Sequence, residues 1–207
     1  MEDKPSQTTE QAILEVAERI FLEKGFALTS TTEIAKAVGC NQALVHYYFR
    51  TKDNLFNTIF EQKFKMFFQG IFEIKNLDEL PFLDKLKHII ESHFDMVMAN
   101  SKLPLLIINE FSRRPEQVRL LSEKLQGIPE KLFEKLNVEL EAEISAGRIR
   151  QISLMDLIMS TVSLNISLFL LLPIASELMS LNETQKQFVI IHRRTENVNL
   201  ILNSLRP

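Results

Sequence analysis

Apolar side chains recur at intervals of three and four residues along most of this chain, the spacing that places them on one face of an α-helix. The first such run starts after Thr8 or Thr9, either of which suits a helix cap, and it stops at Gly25. Its apolar positions are Ile13, Val16, Ala17, Ile20 and Phe21. The pattern therefore predicts an amphipathic first helix that ends at Gly25.

Two short helices joined by a glycine turn are predicted next. Ser30 and Glu33 have the S-x-x-E spacing that satisfies free amides at a helix start. The buried face of this helix would consist of Ile34, Ala35 and Val38. Gly39 follows at a position that favours positive φ, and the chain resumes as a helix from about Asn41 to Phe49. Two short helices around such a turn are typical of the DNA-binding helix-turn-helix.

A long fourth helix follows, and prolines divide the remainder of the chain. Thr51-Lys52-Asp53 offers a cap, and apolar residues continue at helical spacing to about Ile74. Proline is tolerated in the first turn of a helix but is costly in its interior, so the later prolines mark helix boundaries. Further helices are predicted near residues 81–99, 103–112, 115–125, 129–147, 153–172 and 183–205.

Composition favours the same fold class. Gly and Pro total only 12 of 207 residues, which favours helices over a turn-rich β fold, so we expect an all-α protein. The single cysteine, Cys40, excludes an internal disulfide, and no Cys/His spacing of the zinc type occurs. The first 25 residues lack the pattern of a secretion signal. We therefore expect a cytoplasmic protein with neither a metal site nor a cofactor.

One segment has nearly the length and composition of a membrane span. Residues 157–175 carry no charged side chain. However, five Ser, Thr and Asn residues lie inside the segment, and no Lys/Arg cluster flanks it closely, as membrane orientation usually requires. We interpret it as a helix buried between protein partners.

The third predicted helix divides into an inner and an outer face. Val45 and Phe49 are four residues apart and would pack inward. The residues left pointing outward are Gln42, Ala43, His46 and Tyr47. Asn41 and Gln42 carry amides that can hydrogen-bond base edges in the major groove. The side chains within reach of phosphate oxygens are His46, Tyr47, Tyr48 and Lys52.

Residues 29–55, which read TSTTEIAKAVGCNQALVHYYFRTKDNL, resemble the helix-turn-helix of the tetracycline-repressor (TetR) family. The resemblance implies a DNA-binding domain over residues 1–52 and a helical effector-binding and dimerisation domain over residues 53–207. It also implies phosphate contacts from Ser30 or Thr31, Tyr47, Tyr48 and Lys52. The implied base contacts come from Asn41, Gln42, Ala43 and His46.

The same resemblance implies a homodimer that binds a palindromic operator and responds to a small molecule, most often as a repressor. Helices near 153–172 and 183–205 would form the dimer interface. The effector is expected to be largely apolar, because the chain is rich in Phe and Met. Candidate pocket residues are Phe68, Phe72, Phe94, Met98, Phe111 and Phe133.

The charge of the first domain departs from the expected basic patch. Residues 1–52 hold six Lys/Arg against seven Asp/Glu, a net charge of −1. An alternative function is therefore a protein-interaction adaptor that keeps the fold but has lost DNA binding. No nucleophile, paired-carboxylate or phosphate-loop pattern indicates an enzyme, and the histidines His88, His93 and His192 have no metal spacing.

Overall fold

The computed structural model describes residues 8–72, 77–125 and 127–207, with the side chains of residues 71, 72 and 78 excluded. These residues form ten α-helices and one short 3-10 turn, and they contain no strand, which confirms the all-α prediction. The helices are α1 (Thr9–Lys24), α2 (Thr31–Val38), α3 (Gln42–Phe49), α4 (Lys52–Phe72), α5 (Phe82–Ala99), α6 (Leu103–Phe111), α7 (Pro115–Lys124), α8 (Ile128–Ser145), α9 (Leu154–Leu178) and α10 (Glu183–Ser204).

Short polar side chains start several of these helices, among them the predicted caps of α1 and α2. The hydroxyl of Thr8 accepts from the amide of Gln11, and the hydroxyl of Ser30 accepts from the amide of Glu33 at 3.1 Å. At α10, Asn182 and Gln185 form a full capping box. Each cap satisfies an amide that the helix itself leaves without a partner, and thereby fixes where the helix begins.

Helix α9 is longer than the sequence predicts. The prediction ends it near residue 172, just before Pro173, but the helix continues through this proline to Leu178. Proline removes the amide that would donate to the carbonyl of Phe169 and costs a helix interior about 3 kcal/mol. Packing of α9 against α5, α8 and α10 offsets this local cost, so tertiary contacts decide the helix end.

The described residues pack into two compact units. The first unit comprises residues 8–64 with 105–124, and the second comprises residues 65–72, 77–104, 125 and 127–207. The first unit, which we call the reading unit, therefore combines α1 to α3 and most of α4 with α7 and most of α6. The second, which we call the bundle unit, contains α5 and α8 to α10. The functional boundary at residue 52 remains a prediction.

Aromatic rings form the core of the reading unit. Phe56 is almost fully buried, and its ring centroid lies 5.3 Å from Phe21, 4.9 Å from Phe26 and 4.4 Å from Phe60. Helices α1, α2 and α3 pack pairwise beside this cluster. Edge-to-face and tilted ring pairs add to the free energy of simple burial. The helix-turn-helix therefore packs beside an aromatic cluster supplied by α1, the loop after it and α4.

A buried polar chain crosses the bundle unit. The Asn165 side-chain amide donates to the Ile90 carbonyl at 3.0 Å and to Nδ1 of His93 at 3.1 Å. Because a carbonyl oxygen only accepts, this contact fixes the orientation of the Asn165 amide. Its oxygen then accepts from the Asn197 amide at 2.8 Å. Nδ1 of His93 is consequently an acceptor, and the ring is neutral with its proton on Nε2.

His93 makes the bundle unit sensitive to acid. Burial lowers the pKa of His93 from 6.5 to about 4. The unfolded chain binds a proton at this residue below pH ~6.5, whereas the folded chain does so only near pH 4, so stability falls as the pH drops across this window. At 1.36 kcal/mol per pKa unit, the loss between pH 7 and pH 5 is about 2 kcal/mol.

Urea unfolding at pH 7 and pH 5 measures this contribution. We expect His93→Gln, which can still accept from Asn165, to lose about 2 kcal/mol less than the wild type over this interval. His192→Gln is the matched control, because His192 is exposed on α10. If the wild type and His93→Gln lose the same free energy of unfolding between pH 7 and pH 5, the stability change does not come from His93.

Candidate nucleic-acid interface

The turn between α2 and α3 depends on one glycine. Gly39 adopts φ 80° and ψ 26°, the left-handed conformation that a side chain disfavours. Its amide donates back to α2, and the amide of Cys40 donates to the Ala35 carbonyl at 3.0 Å. Asn41 then starts α3 by accepting from the amide of Ala43 at 2.9 Å. The predicted helix-turn-helix is present, with both helix ends hydrogen-bonded.

Helix α3 has the two faces that the sequence predicts. Val45 and Phe49 are buried, with 1% and 5% of their surface exposed. The exposed residues of the helix and its cap are Asn41, Ala43, Leu44, His46, Tyr47 and Tyr48, and Gln42 is half-buried. Tyr47 is 77% exposed. Each predicted base-contacting side chain is therefore at least partly accessible.

A polar chain holds Gln42 in place on this surface. Its side-chain nitrogen lies 3.2 Å from the Thr31 hydroxyl and 3.2 Å from Nε2 of His46. Nδ1 of His46 lies 3.0 Å from the Arg50 carbonyl, which only accepts, so Nδ1 carries the ring proton and Nε2 accepts. Both amide hydrogens of Gln42 therefore have partners inside the protein. Its oxygen has no donor among the described residues and is open to a ligand.

The predicted phosphate contacts lie in different environments. Ser30 is exposed, but its hydroxyl caps α2, and Thr31 is half-buried with its hydroxyl beside Gln42. Lys52 is half-buried, and its ammonium donates to the carbonyls of Phe26 and Thr29, both at 2.8 Å. The ammonium also lies 4.2 Å from the centroid of the Phe26 ring. Lys52 thus has at most one of its three N–H groups left for a phosphate.

Local charge at the interface is more favourable than the charge of the whole first domain. Residues 34–52 contain Lys36, Arg50 and Lys52 but no Asp or Glu. Arg50 ends α3 at φ 63°, and both Arg50 and Lys36 are exposed. A cation at the C-terminus of a helix is also stabilised by the helix dipole. Lys36 and Arg50 are absent from the predicted contacts, although a count of charge within the motif points to them.

The predicted effector-pocket residues fall in both units. Phe68 and Phe133 meet in the bundle unit with ring centroids 6.2 Å apart. Phe94 packs instead on Phe169 in a buried cluster, and Met98 is exposed. Phe111 belongs to the reading unit, where its ring lies 5.6 Å from Phe60. The side chain of Phe72 is outside the described part of the chain.

The bundle unit exposes apolar side chains along α9 and α10. On α9 these are Met155, Met159, Leu171, Ile174 and Leu178, and on α10 they are Phe188, Ile191 and Leu200. Within the described residues, α9 is long and apolar enough to cross a membrane by length and composition. Yet Asn165 on its opposite face is fully buried and hydrogen-bonded to α5 and α10, as in a helix packed within a bundle.

Comparison with known proteins places these features in a family. Residues 13–59 match the model of the bacterial regulatory proteins of the tetR family. Over 56 residues, 27% of the chain, the sequence is 43% identical to the HTH-type transcriptional regulator AcrR of Shigella flexneri. This segment spans 26% of AcrR. The family model therefore covers the helix-turn-helix together with most of α1 and the start of α4.

Two further similarities extend beyond this segment. The chain is 24% identical over 140 residues to the fatty acid metabolism regulator protein of Bacillus subtilis (strain 168), covering 67% of the chain and 70% of that protein. Its fold matches that of the transcriptional regulator FadR from Bacillus subtilis, solved in complex with stearoyl-CoA, with a TM-score of 0.65 and 16% identity. This match covers 94% of the chain and 98% of FadR.

The capped helix-turn-helix, presented by an otherwise all-helical chain, defines the class of helix-turn-helix regulators. Over residues 13–59 the sequence is that of the tetR family of bacterial regulatory proteins. The fold of the chain is that of solved TetR-family regulatory proteins, and its sequence is similar to that of a regulator of fatty acid metabolism.

Proposed function

We propose that this protein is a cytoplasmic, ligand-responsive transcriptional repressor that binds a palindromic DNA operator as a homodimer. The observation that carries the proposal is the exposed face of α3, where Gln42, His46 and Tyr47 lie together over the buried Val45 and Phe49. A helix presented in this way fits the major groove of DNA. No catalytic step is part of the proposed function.

Base recognition would rest mainly on Gln42. Because both of its amide hydrogens have partners in the protein, its oxygen is set to accept a hydrogen bond from a base. In the major groove the exocyclic amines of adenine and cytosine are such donors. Asn41, Ala43 and His46 complete the reading surface. The phosphate contacts proposed from Ser30, Thr31, Tyr47, Tyr48 and Lys52 would hold the register, with Lys36 and Arg50 added by their exposure and charge.

A second copy of the chain is the proposed occupant of the apolar face of α9 and α10. Large exposed patches of this kind usually mark an interface. On α9 Met155 and Met159 are four residues apart, and on α10 Phe188 and Ile191 are three apart, the spacing of side chains that share one helix face. A two-fold dimer would present two reading helices to successive major grooves, which explains why a palindromic operator is expected.

The proposed effector is a long-chain acyl thioester. The relationship to fatty acid regulators, one of them solved with stearoyl-CoA, supports this class. The contact between Phe68 and Phe133 offers an aromatic wall for an acyl chain within the bundle unit. Helix α4 runs from the reading unit into the bundle unit, so a ligand that prefers one position of α4 would change operator affinity.

Fluorescence anisotropy with a duplex from the region upstream of the gene tests both parts of this proposal. We expect a Kd of about 10⁻⁸ to 10⁻¹¹ M, raised at least about tenfold by stearoyl-CoA but not by coenzyme A alone. Failure to bind this duplex or neighbouring promoters would favour the adaptor function. Tight binding that stearoyl-CoA leaves unchanged would overturn the effector class alone.

A further inference from the structure

Helix α4 carries a row of polar contacts with the α6–α7 segment inside the reading unit. Three residues of α4, each four positions after the last, face partners from residues 114–124. The pairs are Asp53 with Arg114, Asn57 with Gln117 at 2.6 Å, and Glu61 with Lys124 at 3.2 Å. Residues four apart lie on one helix face. The α6–α7 segment is thus fixed along one side of α4, beginning at its first turn.

Arg114 makes the most extensive contacts of this row. Its guanidinium donates to Asp53 on α4 and, at 2.9 Å, to Glu110 at the end of α6. It also lies 4.1 Å from the centroid of the Phe26 ring, in the loop before α2. The same ring lies 4.2 Å from the ammonium of Lys52. Arg114 therefore contacts three separate parts of the reading unit, namely α4, the end of α6 and the loop before α2.

Lys52 connects these contacts to the helix-turn-helix. Lys52 precedes Asp53 and hydrogen-bonds the carbonyls of Phe26 and Thr29, and Thr29 adjoins the cap of α2. Loss of Arg114 would leave the carboxylates of Asp53 and Glu110 without their cation and would uncover one contact of the Phe26 ring. The loop before α2 and the first turn of α4 would then open more often.

We propose that Arg114 is a positioning residue for operator binding. It holds the first turn of α4 and the loop before α2 in the DNA-binding conformation without touching DNA. The reading unit is consequently discontinuous in sequence, because it requires the α6–α7 segment. This inference rests on the proposed DNA-binding function, but its structural part is measurable without DNA.

Amide hydrogen exchange of the full-length protein tests the structural part. We expect Arg114→Met to raise exchange about tenfold in residues 25–30 and 52–55, and Arg114→Lys, which keeps the charge, to restore part of the protection. Arg119→Met is the matched control, since Arg119 is an exposed arginine of α7 whose ion pair stays within that helix. Unchanged exchange in Arg114→Met, or an equal rise in Arg119→Met, would overturn the proposal.

Operator affinity at several salt concentrations tests the functional part. We expect Arg114→Met to raise the Kd about 10- to 100-fold, because both reading units of a dimer lose the competent conformation. The slope of log Kd against log salt should stay the same, since no phosphate contact is removed. A slope reduced by one or more would show direct DNA contact and overturn the positioning role, as would an unchanged Kd.

A second variant and the order of the two tests distinguish failure of the positioning role from failure of the proposed function. Asp53→Asn removes the same ion pair with almost no change in shape, so it repeats the test if Arg114→Met does not fold, and it should raise exchange in the same segments. If the wild type binds no operator, the proposed function fails. The exchange comparison still decides whether Arg114 positions the reading unit.

Discussion

Gln42→Ala should weaken operator binding by about 1 to 3 kcal/mol, because a single hydrogen bond contributes about 0.5 to 1.5 kcal/mol and a homodimer loses it twice. The Gln42 oxygen is open to a base while the amide hydrogens are held by Thr31 and His46. Alanine removes the acceptor and leaves these two partners in place. Anisotropy titrations with the upstream duplex give the change in Kd.

The loss of affinity in Gln42→Ala should also depend on the DNA sequence. Gln42→Ala should relax discrimination at one base pair per half-site and leave the salt dependence unchanged, because the residue reads a base and not a phosphate. Gln62→Ala serves as the control, as Gln62 is an exposed glutamine on α4. A loss that is equal for operator and random DNA would contradict a base-reading role.

Ile191→Glu should separate the proposed dimer into monomers. Ile191 is 67% exposed in the single chain and lies in the apolar face of α10. In a two-fold interface the substitution would bury two carboxylates, each of which costs several kcal/mol without a partner. We expect the dimer Kd to rise at least about 10³-fold, which corresponds to about 4 kcal/mol.

Sedimentation velocity at micromolar concentration measures this effect. Val138→Glu is the matched control, because Val138 is 65% exposed on α8, outside the apolar face of α9 and α10. We expect it to remain dimeric. A wild type that sediments as a monomer, or an Ile191→Glu variant that stays a dimer, would rule out this interface. Operator binding should weaken together with dimerisation, since two linked reading helices bind more tightly than one.

The sequence predicts the helix-turn-helix well because its signals are local. Ser30 caps α2, Gly39 supplies positive φ and Val45 lies four residues before Phe49, and each of these features acts over a few residues. The structure places all of them as predicted. The outward face of α3 follows from the same spacing.

The sequence could not predict the roles that depend on distant parts of the chain. Lys52 carries a conspicuous positive charge within the motif, but its ammonium is held by the carbonyls of Phe26 and Thr29. Arg114 lies 61 residues from Asp53, and no local pattern indicates that they meet. The continuation of α9 past Pro173 likewise depends on packing and not on local propensity.

The surroundings of the predicted effector residues also depend on distant parts of the chain. Helical spacing tells which Phe and Met residues share a face, but not which neighbour the face meets. Phe68 and Phe133 meet, whereas Phe94 belongs to a core cluster and Phe111 to the reading unit. Apolar periodicity is the same for a core and for the wall of a pocket, so composition could not separate them.

Footprinting of the protein on its upstream duplex tests the central claim most directly. With dimethyl sulfate and hydroxyl radicals, we predict two protected patches related by a two-fold axis, in major grooves about one helical turn or more apart on one face of the DNA. Gln42→Ala should lose protection at the bases and retain it at the backbone. Protection that is absent, confined to a single patch, or uniform along any sequence would contradict a homodimer that reads a palindromic operator through α3.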